Sequence, residues 1–156
     1  MVFTPSELEA DGPPPLTYHP CKAASKGAGM LPVTALLTGV LCVVLVALSA
    51  LVSVGRFRTG TTAGDGGDEA LRRRIRAQGN FIEYTPLGLF ALALVEYRQA
   101  PTLTVMGLGM ALVLGRLLHA GGMLGGVRPL RALGMVLTFA SLLGSGGYLV
   151  FGPIGT

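Results

Sequence analysis

Two stretches of this chain run long without a single charged residue: Leu31 to Val54, 24 residues, and Ala132 to Phe151, 20 residues. A helix rises about 1.5 Å per residue, so each stretch reaches across a hydrocarbon layer roughly 30 Å thick. Two further segments are nearly as apolar. Phe81 to Val95 is interrupted only by Glu83, and Leu103 to Leu118 only by Arg116, which reads as two more spans with a polar interior face. Since 51% of the residues are hydrophobic and only 13% charged, the composition agrees with a membrane protein. The expected fold is all-α: an integral membrane four-helix bundle, up-and-down with short connections, occupying residues 31–156.

Ahead of it, residues 1–30 hold Pro5, Pro13, Pro14, Pro15 and Pro20 with scattered charges and no apolar period, the composition of a disordered tail. The tail lacks the basic start and apolar core of a signal peptide. Met30 immediately precedes the first span, so it is expected to serve as an alternative start, with the tail dispensable.

Lysine and arginine set the expected orientation. The connection from Val54 to Asn80 contains Arg56, Arg58, Arg72, Arg73, Arg74 and Arg76, and the next loop on that side contains Arg128 and Arg131; the opposite side has Lys22, Lys26 and Arg98. Both termini should therefore be non-cytoplasmic. The net charge of +4 is a topological anchor, and without a soluble basic domain or interleaved aromatics it does not indicate nucleic acid. Cys21 and Cys42 have no metal-ligand spacing and are not expected to pair. Gly64, Gly66 and Gly67 lie in a loop with no Gly-Lys-Ser/Thr and no preceding strand, which excludes a phosphate cradle and leaves a flexible connection.

Asp68 or Glu69 is expected to begin the second helix, which should kink at Pro86 and end near Tyr97 to Gln99. Pro101 suits the first turn of the third helix. In that helix Gly107, Ala111 and Gly115 recur every four residues as a seam for close packing, and Arg131 is expected to open the fourth.

The second helix carries the chemistry. At 100° per residue Arg73, Arg76, Asn80, Glu83 and Tyr84 fall within an arc of about 100°. Ionisable groups leading into an apolar segment point to function. The nearby Arg116 is expected to find a carboxylate partner, Glu83 first, and His119 to be a satisfied histidine between helices. A zwitterion with two carboxylates and one ammonium matches arginines together with a glutamate, with Asn and Tyr bonding the peptide between them. Glutathione has that charge layout, and a nearby arginine would favour its thiolate.

These residues resemble the MAPEG family, the membrane-associated proteins in eicosanoid and glutathione metabolism. The likeness rests on Arg73, Arg76 and the run Ala77-Gln78-Gly79-Asn80-Phe81-Ile82-Glu83-Tyr84-Thr85-Pro86, joined by Arg56, by Gly115-Arg116-Leu117-Leu118-His119-Ala120 and by Arg131. It covers roughly residues 31 to 152. The resemblance implies a homotrimer with glutathione between subunits, held by Arg56, Arg73, Arg76, Asn80, Glu83 and Tyr84. Arg131 matches the position proposed to stabilise the thiolate, and a lipophilic small-molecule substrate would arrive from the lipid bilayer. The implied activity is conjugation of glutathione to an electrophile, or reduction of a lipid hydroperoxide. Met123 stands where eicosanoid-making members have tyrosine, which favours a less specialised, bacterial-type member. The rival is a non-catalytic scaffold or lipid-binding protein of the same fold, in which Arg76, Glu83 and Arg116 only hold helices together.

Overall fold

The computed structural model describes residues 31–153, so the tail and its Met30 lie outside the described residues. Four helices follow in order, α1 (Pro32–Thr59), α2 (Glu69–Tyr97), α3 (Thr102–Gly125) and α4 (Arg128–Phe151). By length and composition α1, α3 and α4 can each cross a membrane. The second helix is as long but charged in its first turns, and its apolar half packs into the bundle through Phe81, Leu92 and Val95. Large aliphatic and aromatic side chains such as Leu36, Val43, Phe90, Leu143 and Val150 remain strongly exposed, the surface a lipid-embedded bundle presents. The protein is an all-α integral membrane bundle.

Its centre is formed by α2 and α3, which touch each other and both remaining helices; α1 and α4 do not meet among the described residues. Polar contacts tie the helices to one another. Gln78 Nε2 donates to Ser49 Oγ at 2.7 Å between α2 and α1. Arg98, just past α2, donates to the Leu149 carbonyl near the end of α4 at 2.7 Å, which sets α2 parallel to α4 and places a cation at a helix C-terminus.

The helix ends follow local chemistry, with two corrections, one being that Pro101 is the N-cap of α3 and not part of its first turn. Asp68 is the N-cap of α2, its carboxylate accepting from Leu71 N at 2.5 Å, and α2 continues through Pro86 as one helix. The fourth helix begins at Arg128, one turn before the expected Arg131. Gly126, at φ 70°, closes α3 in the left-handed conformation, and Pro129 fits the first turn of α4, where a missing N–H costs nothing. Arg131 therefore sits inside the first turn.

The first helix is capped from a distance. Leu31 gives it no side-chain cap; instead the Glu96 carboxylate of α2 accepts from Val33 N at 2.9 Å and Thr34 N at 2.8 Å. Those are first-turn donors with no partner inside their own helix, and the anion also opposes the positive end of the dipole. Glu96 is 8% exposed. Glu96→Ala is expected to cost about 2–3 kcal/mol, because it strands one buried and one part-buried donor, and Glu96→Gln less. Thermal unfolding of the detergent-solubilised variants checks this.

The small-residue seam is also displaced from the expected one. An added Cβ at Gly107 meets nothing within 4 Å, whereas at Gly115 it would lie 2.9 Å from Gly134 O, and at Gly122 2.7 Å from Arg131 N. Backbone contact between α3 and α4 thus centres on Gly115, Gly122 and Gly134, at the end of the bundle that carries the polar residues.

Candidate functional site

At that end α2 contributes Arg76, Asn80 and Glu83 at i, i+4 and i+7, which places them on one helix face. His119 and Met123 come from α3, four residues apart, and Arg131 from the first turn of α4. With Ile75 and Gly79 these residues line a cleft of about 390 Å³. A neighbouring cleft of about 340 Å³ shares His119 and Arg131 and adds Arg128, Ala132 and Met135. On its other side Arg76 also borders a recess under the α1–α2 loop, with Gly64, Asp65 and Arg72.

Four of the seven residues expected at a binding site, Arg76, Asn80, Glu83 and Arg131, thus share one cleft. The other three serve elsewhere in the chain. Arg56 Nη1 donates to the Thr62 carbonyl at 2.8 Å and tethers the loop. Arg73 lies over the C-terminal end of α3, where an added Cβ at Gly126 would be 3.0 Å from its Nη1, and its Nε is 3.7 Å from Glu69 Oε1. Tyr84 turns inward, its ring tilted against Phe139 at 5.9 Å between centroids.

The expected pairing of Arg116 with Glu83 does not form. Arg116 is 0% exposed and bonds only neutral acceptors: Asn80 Oδ1 at 2.9 Å, Asn80 O at 3.3 Å, and Thr138 Oγ1 at 3.0 Å from Nε and 2.5 Å from Nη2. Its guanidinium also lies 5.2 Å from the centroid of the Tyr84 ring, a cation–π contact. Glu83 points to the exposed side. Among the described residues none of Arg76, Glu83 and Arg131 is in an ion pair, so two cations and one anion face the cleft unneutralised.

His119 is buried between the helices as expected, with its Nδ1 3.3 Å from the Arg131 carbonyl. A carbonyl can only accept, so that contact requires a proton on Nδ1, and in the neutral ring Nε2 is then the acceptor. The α1–α2 loop, expected to be flexible, is pinned at its centre. Asp65 accepts from Arg72 Nε at 2.6 Å and from Gly67 N at 3.0 Å, and the Arg72 bond holds its carboxyl below the ordinary carboxylate value.

Comparison with known sequences decides the family. The MAPEG family model matches residues 34–151. The chain belongs to the MAPEG family. Among curated relatives, inner membrane protein YecN of Escherichia coli K12 is 36% identical over 80 residues, 51% of this chain and 61% of its own length. The YecN protein of Escherichia coli O6:H1 strain CFT073 matches to the same extent. The chain thus spans about three fifths of the curated relatives it matches. No solved structure matches it.

In this MAPEG chain, His119 and Met123 line the cleft although neither was singled out as a binding residue. Their spacing offered a signal: His119 follows Arg116 by three residues and Met123 follows His119 by four, one continuous face of α3.

Proposed function

We propose that this MAPEG protein binds glutathione in the α2–α3–α4 cleft and delivers its thiolate to a lipophilic electrophile or a lipid hydroperoxide arriving from the bilayer. The observation that carries the proposal is the set of unneutralised groups around one cleft: the guanidiniums of Arg76 and Arg131 and the carboxylate of Glu83. Glutathione, when bound, supplies the reactive thiol. Arg76 would hold a carboxylate, Glu83 the ammonium, and Asn80 the peptide. Arg131 would favour the charged form of the sulfur by placing a fixed cation beside it.

The arginine-rich end of the bundle supports a cytoplasmic cleft with both termini on the far side. The cleft's open flank, with Arg76, Glu83 and Arg131 all exposed, supports a homotrimer in which a neighbouring subunit closes it. Arg56, Arg73 and Tyr84 enter the site in this proposal only through that assembly.

A scaffold role would require Arg76 and Glu83 to hold helices together. Neither side chain makes a hydrogen bond or ion pair within the described residues of the subunit, which favours the binding role. Calorimetric titration of glutathione into the purified protein tests the proposal. Arg76→Ala is expected to lower the affinity at least about tenfold, the scale of one charge-assisted contact, with assembly unchanged. Equal affinity in an assembled mutant would refute the role given to Arg76.

A further inference from the structure

Arg116 is a fully buried charge that the proposed chemistry does not use. An arginine side chain has five N–H donors and no acceptor, so the atom of Asn80 that meets its Nη1 at 2.9 Å has to be the oxygen. The amide orientation at Asn80 is therefore dictated by chemistry: with Oδ1 occupied, its NH2 is turned away from Arg116, and Asn80 is one of the residues that line the cleft.

Arg116 is itself held on every side. Nε and Nη2 both donate to Thr138 Oγ1, and the hydroxyl's own proton goes to Gly134 O at 2.8 Å, so Thr138 can only accept from the guanidinium. Nη2 also approaches Met135 Sδ at 3.6 Å, and the Tyr84 ring covers one face. Such a group cannot rotate to suit a different orientation of Asn80.

We infer that Arg116 is a positioning residue: it turns the Asn80 amide so that the cleft wall presents only N–H donors there, fitted to a carboxylate or peptide carbonyl oxygen of the ligand. This rests on the proposed glutathione site, which it deepens by assigning the acceptor-binding donor and the group that aims it. It also explains an amide at residue 80. A carboxylate there would pair with Arg116 and turn its second oxygen toward the cleft, repelling the same ligand oxygen.

Asn80 is the only asparagine in the chain, so protein labelled with side-chain ¹⁵N-asparagine gives a single NH2 pair that needs no assignment. In the wild type that pair is expected to exchange with cleft water, and to shift and become protected on adding glutathione. Arg116→Met should erase the fixed orientation, lowering both water exchange and glutathione affinity, the latter about tenfold; Arg116→Lys, which keeps a donor, should restore part of each. Asn80→Asp provides a second route if Arg116→Met does not fold. It should raise the melting temperature by giving Arg116 a counter-ion, yet lower glutathione affinity at least tenfold.

A wild-type NH2 pair shielded from water, or wild-type affinity in Asn80→Asp, would overturn the inference. An NH2 pair open to water in a protein that does not bind glutathione would uphold the positioning by Arg116 and overturn the glutathione site alone.

Discussion

Gly134→Val is expected to leave little folded protein, the largest stability loss of any single substitution considered. A Cβ at Gly134 would lie 2.5 Å from His119 N, 2.7 Å from Gly115 O and 2.8 Å from His119 Cα. All three atoms are backbone, so no side chain can swing aside, and α3 and α4 have to separate. Forcing extra carbon into a packed interface costs about 1–3 kcal/mol and more where the neighbours cannot move. Here the interface is the most extensive of the bundle, and its separation would also break the Thr138 support under Arg116. Gly39→Ala is the control: nothing lies within 4 Å of the added atom, and alanine favours helix. Thermal melting in detergent should show a collapse for the first and little change for the second. Near wild-type melting of Gly134→Val would mean that α3 and α4 are not in backbone contact.

The second large effect is on turnover. Arg131→Met is expected to lower the rate of conjugation to a model electrophile about 100-fold, the scale for removing one preorganised charge from a reacting anion. Glutathione affinity should fall far less, because Arg76, Asn80 and Glu83 remain. The fold should be unaffected, since the contact to His119 uses the backbone carbonyl of Arg131 and not its side chain. Arg131→Lys should recover part of the rate through its point charge. A loss of affinity equal to the loss of rate would make Arg131 a binding residue without a separate effect on the thiol.

Which parts were legible in the sequence follows from what periodicity measures. Uncharged length marked α1 and α4, and the acidic pair Asp68 and Glu69 marked the start of α2. The i, i+4, i+7 spacing placed Arg76, Asn80 and Glu83 together because all three belong to one helix. A helical wheel gives direction around one axis only. It does not fix how neighbouring helices are rotated or slid, so it assigned Arg116 to Glu83 when the packing delivered it to Asn80 and Thr138.

The sliding of α3 against α4 is set by Gly115, Gly122 and Gly134, and only a three-dimensional fit separates these from the many glycines that touch nothing, such as Gly107. Arg73 and Tyr84 share the wheel arc with Arg76 yet sit at its edge, where a small rotation sends one over the end of α3 and the other beneath Arg116. Glu96 had no local signal at all, because its partners lie 62 and 63 residues away.

The central claim, that the cleft receives glutathione and holds its sulfur charged, is tested most directly by the ultraviolet absorbance of the thiolate on mixing glutathione with the purified protein at neutral pH. A saturable rise in thiolate absorbance with proton release, reduced in Arg76→Ala through affinity and in Arg131→Met through amplitude, is the predicted result. Saturating binding without thiolate formation would contradict the role of Arg131, and no binding to a well-assembled wild type would contradict the glutathione site itself.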